Sequence, residues 1–108
     1  MWDKNGIPFA DAVVWQCSRA KEIAEKYMSY SDRVHEITGL QLSTYFPACK
    51  MKWLIDHVQP KDEYCLGTID SWLIYKLTKG TSFKTDATNA SRTQLYDIHT
   101  GKWSEELC

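Results

Sequence analysis

Apolar positions recur at helical spacing in four stretches of this chain. Ser18 can cap a helix in which Ala20, Ile23, Ala24, Tyr27 and Met28 share one face. A shorter helix is expected over 32–38, ended by Gly39, because glycine takes the left-handed conformation after a helix without a Cβ clash. Pro47 suits the first turn of a third helix, with Met51, Leu54, Ile55 and Val58 as its buried stripe and Pro60 as its stop. Thr68 can cap a fourth, burying Ile69, Trp72, Leu73 and Leu77 and ending near Gly80. Between the helices, the β-branched run at 10–15 reads as a buried strand, 64–67 as a brief strand, and 95–98 alternates as a strand does. Strands interleaved with helices predict an α/β layer architecture.

The two ends read differently from the middle. The segment from Trp2 to Pro8 reads as a turn between strands, with Asn5-Gly6 supplying positive φ angles. Only Met1 and Trp2 precede that turn, too little for a hairpin arm, so the chain is expected to continue upstream. Ser104 followed by Glu105, Glu106 and Leu107 reads as a capped helix start that stops at Cys108 before a second turn. Both ends point to a piece of something longer. With 108 residues, 44% of them hydrophobic, the chain can bury one modest core and is expected to be one domain or part of one.

Charge narrows the partners. Formal net charge is −1 with both signs interspersed, so neither a nucleic acid nor an anionic membrane is an expected partner. No apolar stretch approaches the roughly 18 residues of a membrane span. The start lacks the basic and apolar regions of a secretion signal, which makes the cytosol the expected location. Cys17, Cys49, Cys65 and Cys108 form no C-x-x-C pair and are expected as buried, reduced thiols, although two disulfides are arithmetically possible.

Familiar catalytic patterns are missing. Neither common glycine-rich phosphate loop is present. His35, His57 and His99 have no metal-ligand spacing and are expected at the surface or at helix ends. A thiol enzyme using Cys17 or Cys49 would need a paired histidine that the sequence does not suggest. Composition and spacing alone leave an α/β domain without assigned chemistry.

A resemblance goes further. The stretch Tyr45-Phe46-Pro47-Ala48-Cys49-Lys50-Met51-Lys52-Trp53-Leu54-Ile55-Asp56-His57 resembles the first sequence signature of the FGGY carbohydrate kinases, with aromatic, proline, lysine and tryptophan residues at that signature's offsets. Further blocks, in family order, are similar to the glycerol kinases within it: Val14-Trp15-Gln16-Cys17, the run from Leu66 to Leu77, Thr85-Asp86, the run from Thr88 to Thr93, and Asp97-Ile98-His99-Thr100. Xylulokinase-type members usually differ at the Asn89-Ala90-Ser91-Arg92 block and at Trp15-Gln16. Ser18, Ser43-Thr44 and Pro47-Ala48-Cys49 depart from the usual pattern beside the polyol pocket, where they bear on the exact substrate.

The resemblance implies a partial ribonuclease H-like, actin-like domain, with residues 1–108 as a fragment of the N-terminal domain of an FGGY kinase. It implies a parent enzyme that transfers the ATP γ-phosphoryl group to a primary hydroxyl of a small polyol or sugar and uses MgATP. The phosphate loop, an Arg-Glu pair and the base aspartate are expected outside this chain. The fragment is accordingly expected to be inactive, to bind no cofactor or metal, to pack against the rest of the kinase chain and to self-associate when alone. The substrate-binding residues implied are Trp15, packing on the polyol carbons, and Tyr45, bonding a hydroxyl, with Gln16 behind them. Without the resemblance, Trp15 is expected in the core and Tyr45 facing solvent. Trp53 and Trp72 are expected to pack helices, and Lys50 to cap or form an ion pair. Asp86, Asn89, Ser91 and Arg92 are expected to brace a loop. A rival reading is a non-catalytic binding or scaffold module that shares the kinase layer.

Overall fold

The computed structural model describes residues 1–60 and 63–108. Its elements run β1 (Trp2–Asp3), α1 (Lys21–Lys26), a 3-10 turn at Met28–Tyr30, α2 (Ser31–Thr38), α3 (Pro47–Val58), β2 (Tyr64–Cys65), α4 (Ile69–Leu77), α5 (Ala87–Ala90), β3 (Tyr96–Asp97) and β4 (Lys102–Trp103). β1 pairs antiparallel with β2, placing Trp2 opposite Cys65, and β3 pairs antiparallel with β4. No helix among the described residues is long and apolar enough to cross a membrane.

The expected helices form, with corrections at their caps and faces; Thr68, for one, precedes α4 but makes no side-chain cap bond. α1 starts after Ala20 with no side-chain cap; Ser18 contributes its carbonyl, which accepts from the Lys21 N–H at 2.9 Å. The face narrows as well, since Ala20 and Ala24 are buried while Tyr27 and Met28 are exposed past the end of α1. α2 ends at Gly39 with φ 72°, as the sequence predicts. α3 begins at Pro47, but its end is made by Gln59 in the left-handed region, one residue before Pro60.

The largest correction concerns α4. Ile69, Leu73 and Leu77 are exposed, while Ser71 and Tyr75 are buried. The buried side of α4 is set by the aromatic cluster beneath it. Trp2, 2% exposed, meets Trp72 at 5.0 Å, Tyr75 at 5.8 Å and Phe83 at 5.5 Å between ring centroids. Gly67 admits this packing, because a Cβ there would lie 2.9 Å from Ser71 Cβ and 3.1 Å from the Trp2 ring. The Tyr75 hydroxyl then donates to the Lys4 carbonyl at 2.6 Å, fastening α4 to the first turn.

That turn forms as expected in position but not in type. The Gly6 N–H donates to the Asp3 carbonyl and Gly6 alone has positive φ, so Asn5 is not left-handed. The Asp3 carboxylate accepts from the backbone of Asn5 and Ile7, which fixes the turn from its first residue. A second core lies under α1 and α3, where Ala20, Ala24 and Cys49 pack with Ile23, Leu42 and Trp53. At the other end, Ser104 Oγ accepts from the Leu107 N–H at 3.3 Å, the cap expected there, but the segment makes only a turn.

All four cysteines are unpaired thiols, but only Cys49 is buried; Cys17 and Cys65 are half-buried and Cys108 is exposed. The expectation of burial therefore fails for three of them. The histidines are exposed: His57 stacks on Trp53 at 4.1 Å, and His99 bonds the Glu36 carbonyl at 2.9 Å.

Candidate functional site

The run at 10–15 is not a strand. It is an extended, irregular segment, and Val14 and Trp15 are exposed because no other strand among the described residues lies alongside to pair with it. Instead of entering the core, it forms one wall of an open concavity of about 630 Å³. The opposing wall comes from the start of α3 and the 66–69 segment that enters α4. Expecting Trp15 in the core was therefore wrong. Its indole is 60% exposed, and its ring centroid is 5.5 Å from that of Tyr45, tilted by 58°. Tyr45 is 49% exposed and rests edge-on against Phe46 at 5.1 Å. The two residues singled out from sequence meet on one concave surface. Gln16 is exposed beside them.

Beneath the pair lies Lys50, only 5% exposed. Its ammonium donates to the carbonyl oxygen of Trp15 at 3.0 Å and to that of Tyr45 at 3.0 Å. The expected cap or ion pair is not what forms: among the described residues its partners are these two backbone oxygens. Burial pushes the Lys50 pKa down, and the nearby Cys17 and Cys49 sulfurs oppose that shift. Sequence reasoning gave this lysine no role at the site. The signal was present as its place in the signature, three residues after the helix-opening Pro47, which turns it inward under the loop.

The 86–93 block closes one side. The Asp86 carboxylate caps α5 by accepting from the Asn89 N–H at 2.8 Å, and the Ser91 hydroxyl donates to the Thr88 carbonyl. The Thr93 carbonyl accepts from the Ala48 N–H at 3.0 Å, which ties this block to the first turn of α3. Arg92 lies over the Phe46 ring at 4.9 Å, and both Asn89 and Arg92 reach the edge of the concavity. The bracing role expected for this loop is the one its hydrogen bonds describe. Its reach to the concavity was not foreseen.

Cys17 Sγ accepts from Arg19 Nε at 2.9 Å. The Arg19 backbone N–H, helped by its side chain, pulls this thiol's pKa down, whereas burial pushes that of Cys49 up. Among the described residues, no three His, Cys, Asp or Glu side chains gather as a metal ion would require. The concavity offers the Trp15–Tyr45 aromatic pair on a largely apolar lining, with Asp11, Thr68, Asn89 and Arg92 among its polar side chains.

Residues 1–108 match the FGGY family of carbohydrate kinases, N-terminal domain, and the chain belongs to that family. The relatives it is similar to include glycerol kinases. It is 46% identical to the glycerol kinase of Ligilactobacillus salivarius (strain UCC118) over 99% of this chain and 23% of the relative. It is 47% identical to that of Shewanella halifaxensis (strain HAW-EB4) over 99% of this chain and 24% of the relative. A crystal structure of Plasmodium falciparum glycerol kinase with ADP superposes with a TM-score of 0.90 at 38% identity, over 99% of this chain and 23% of that one. The chain thus spans about a quarter of the length of these relatives. The expected fold class, α/β and part of a ribonuclease H-like, actin-like kinase domain, stands.

Proposed function

We propose that this chain is a fragment of the N-terminal domain of an ATP-dependent polyol kinase whose substrate is glycerol, and that it supplies part of the polyol pocket. The observation that carries the reading is the meeting of Trp15 and Tyr45 over one concavity, at 5.5 Å between rings. A polyol presents C–H edges that suit an indole face, and hydroxyls that a phenol can both donate to and accept from. Similarity to glycerol kinases along nearly the whole chain supports the choice of polyol.

The parent reaction moves the γ-phosphoryl group of ATP to a primary hydroxyl, with Mg²⁺ offsetting the charge on the phosphates. Here Trp15 and Tyr45 bind and orient the acceptor. The glycine-rich cradle for phosphate and the base that takes the hydroxyl proton belong to other parts of the parent, so the fragment alone is inactive and binds ATP negligibly.

The test is a panel of polyols and sugars offered with MgATP to the full-length parent, read as ATP consumption. Glycerol is expected to give the highest kcat/KM. Trp15→Ala is expected to raise the KM for glycerol on the order of tenfold while leaving that for ATP unchanged. A parent that consumes ATP with no polyol or sugar on the panel refutes the kinase reading. A pentulose preference replaces glycerol with the substrate of a xylulokinase-type member.

A further inference from the structure

The aromatic pair is held by backbone loops, not by regular structure. Trp15 lies in an irregular segment and Tyr45 in the turn before α3, and neither loop belongs to a sheet ladder. Two loops of this kind drift relative to each other unless something ties them together. The tie present is the Lys50 ammonium, donating to Trp15 O and Tyr45 O at 3.0 Å each from a position 5% exposed. Lys50 is anchored in turn on α3, whose first turn is bonded to the Thr93 carbonyl through Ala48.

A buried cation is costly unless it is hydrogen-bonded, and charge-assisted bonds to carbonyls are stronger than neutral ones. Ordinary packing would be served better here by leucine or methionine, which carry no desolvation cost. A lysine whose charge goes to the carbonyls of the two residues that form the shelf fixes the spacing and tilt of those residues. We infer that Lys50 is a positioning residue, a cationic clamp at the floor of the concavity that sets the Trp15–Tyr45 shelf for the polyol through the two carbonyls it holds. This rests on the reading of Trp15 and Tyr45 as the polyol shelf.

The experiment uses the full-length parent and measures KM for glycerol, KM for ATP and kcat separately in Lys50→Met, Lys50→Gln, Trp15→Ala and the double variant Lys50→Met/Trp15→Ala. Lys50→Met removes both bonds at nearly constant volume. Lys50→Gln keeps a polar donor but is one atom too short to span both carbonyls. Each is expected to raise the glycerol KM on the order of tenfold with little change in the ATP KM. In the Trp15→Ala background the Lys50 change is expected to add almost nothing, because the shelf it positions is already lost.

An unchanged glycerol KM in a folded Lys50 variant overturns the clamp. A parallel rise in both KM values, or full additivity with Trp15→Ala, marks a general structural lysine and overturns it too. If Lys50→Met does not fold, Lys50→Gln decides by the same criteria. If Trp15→Ala itself leaves the glycerol KM unchanged, the shelf reading has failed, an outcome distinct from failure of the clamp alone.

Discussion

The Thr85 hydroxyl donates to the Asp70 carboxylate at 2.6 Å, joining the first turn of α4 to the loop that leads into α5. Thr68, the residue before α4, donates to the other oxygen of the same carboxylate. Partial burial pushes the Asp70 pKa up, but the two hydroxyls and the backbone N–H groups of the helix start outweigh it, and the net shift is downward. A carboxyl lowered on folding adds stability above its unfolded pKa, and that stability is lost as pH falls through the folded value. The Asp70 contribution should therefore be in place above the ordinary carboxylate range, about pH 4, and be lost below it. Thr85→Val removes one donor, so its acid-unfolding midpoint, followed by circular dichroism, should move to higher pH. An unmoved midpoint would show that the carboxylate is not coupled to folding.

Trp2 is the keystone of the aromatic cluster under α4, and its removal leaves Trp72, Tyr75 and Phe83 facing a void. Trp2→Ala should cost ~3–5 kcal/mol in urea unfolding, since neighbouring rings relax only partly into so large a space. Trp2→Phe should cost far less. The Trp2 indole N–H is buried with no partner among the described residues, and phenylalanine removes that unsatisfied donor while keeping a ring. Equal losses for the two variants would mean that the cluster needs the full indole shape and gains nothing from a smaller ring.

Which parts of this molecule could be read in advance follows from how local their causes are. α2 and α3 were legible because Gly39 and Pro47 act on their own backbone, through a left-handed φ and a fixed φ respectively. At 86–93 a bracing role was legible from the Asx and Ser side chains, but the short helix α5 that Asp86 caps was not. The 10–15 run was not, because an apolar β-branched segment becomes a strand only when a partner strand lies alongside. The buried side of α4 was misread because Ile69, Leu73 and Leu77 form a convincing stripe, while the face packed on Trp2 is chosen by an aromatic cluster assembled from distant residues. At the site, the signature marked Tyr45 and the family block marked Trp15. What Lys50 does beneath them depends on two carbonyl directions that no side-chain pattern encodes.

Gly39 allows a sharper test of a local cause. It sits at φ 72°, and an added Cβ would lie 3.2 Å from Ile98 Cδ1. Gly39→Ala should destabilise the chain by ~1–2 kcal/mol, chiefly from the left-handed backbone, with a further small cost as Ile98 shifts. Thermal and urea unfolding of the variant measure it. A neutral result would mean that the α2 terminus rearranges at little cost, even though the Ile98 N–H is bonded to the Ile37 carbonyl at 3.1 Å.

The exposed stripe of α4 predicts how the 108-residue chain behaves alone. Ile69 is 68% exposed, Leu73 51% and Leu77 81%, one apolar row along a helix whose other side is fully engaged. Monomeric proteins rarely leave such a row open to water. The chain spans 23–24% of the length of these glycerol kinase relatives, and under the proposed function the rest of the parent kinase covers this row. Without that cover, the isolated chain should associate through α4 as its concentration rises. Leu73→Lys with Leu77→Lys should restore a monomer in multi-angle light scattering without loss of helical signal, because both side chains point away from the core. An unmodified chain that stays monomeric at high concentration would show that this row needs no partner. If the double variant still associates, the contact lies elsewhere on the surface.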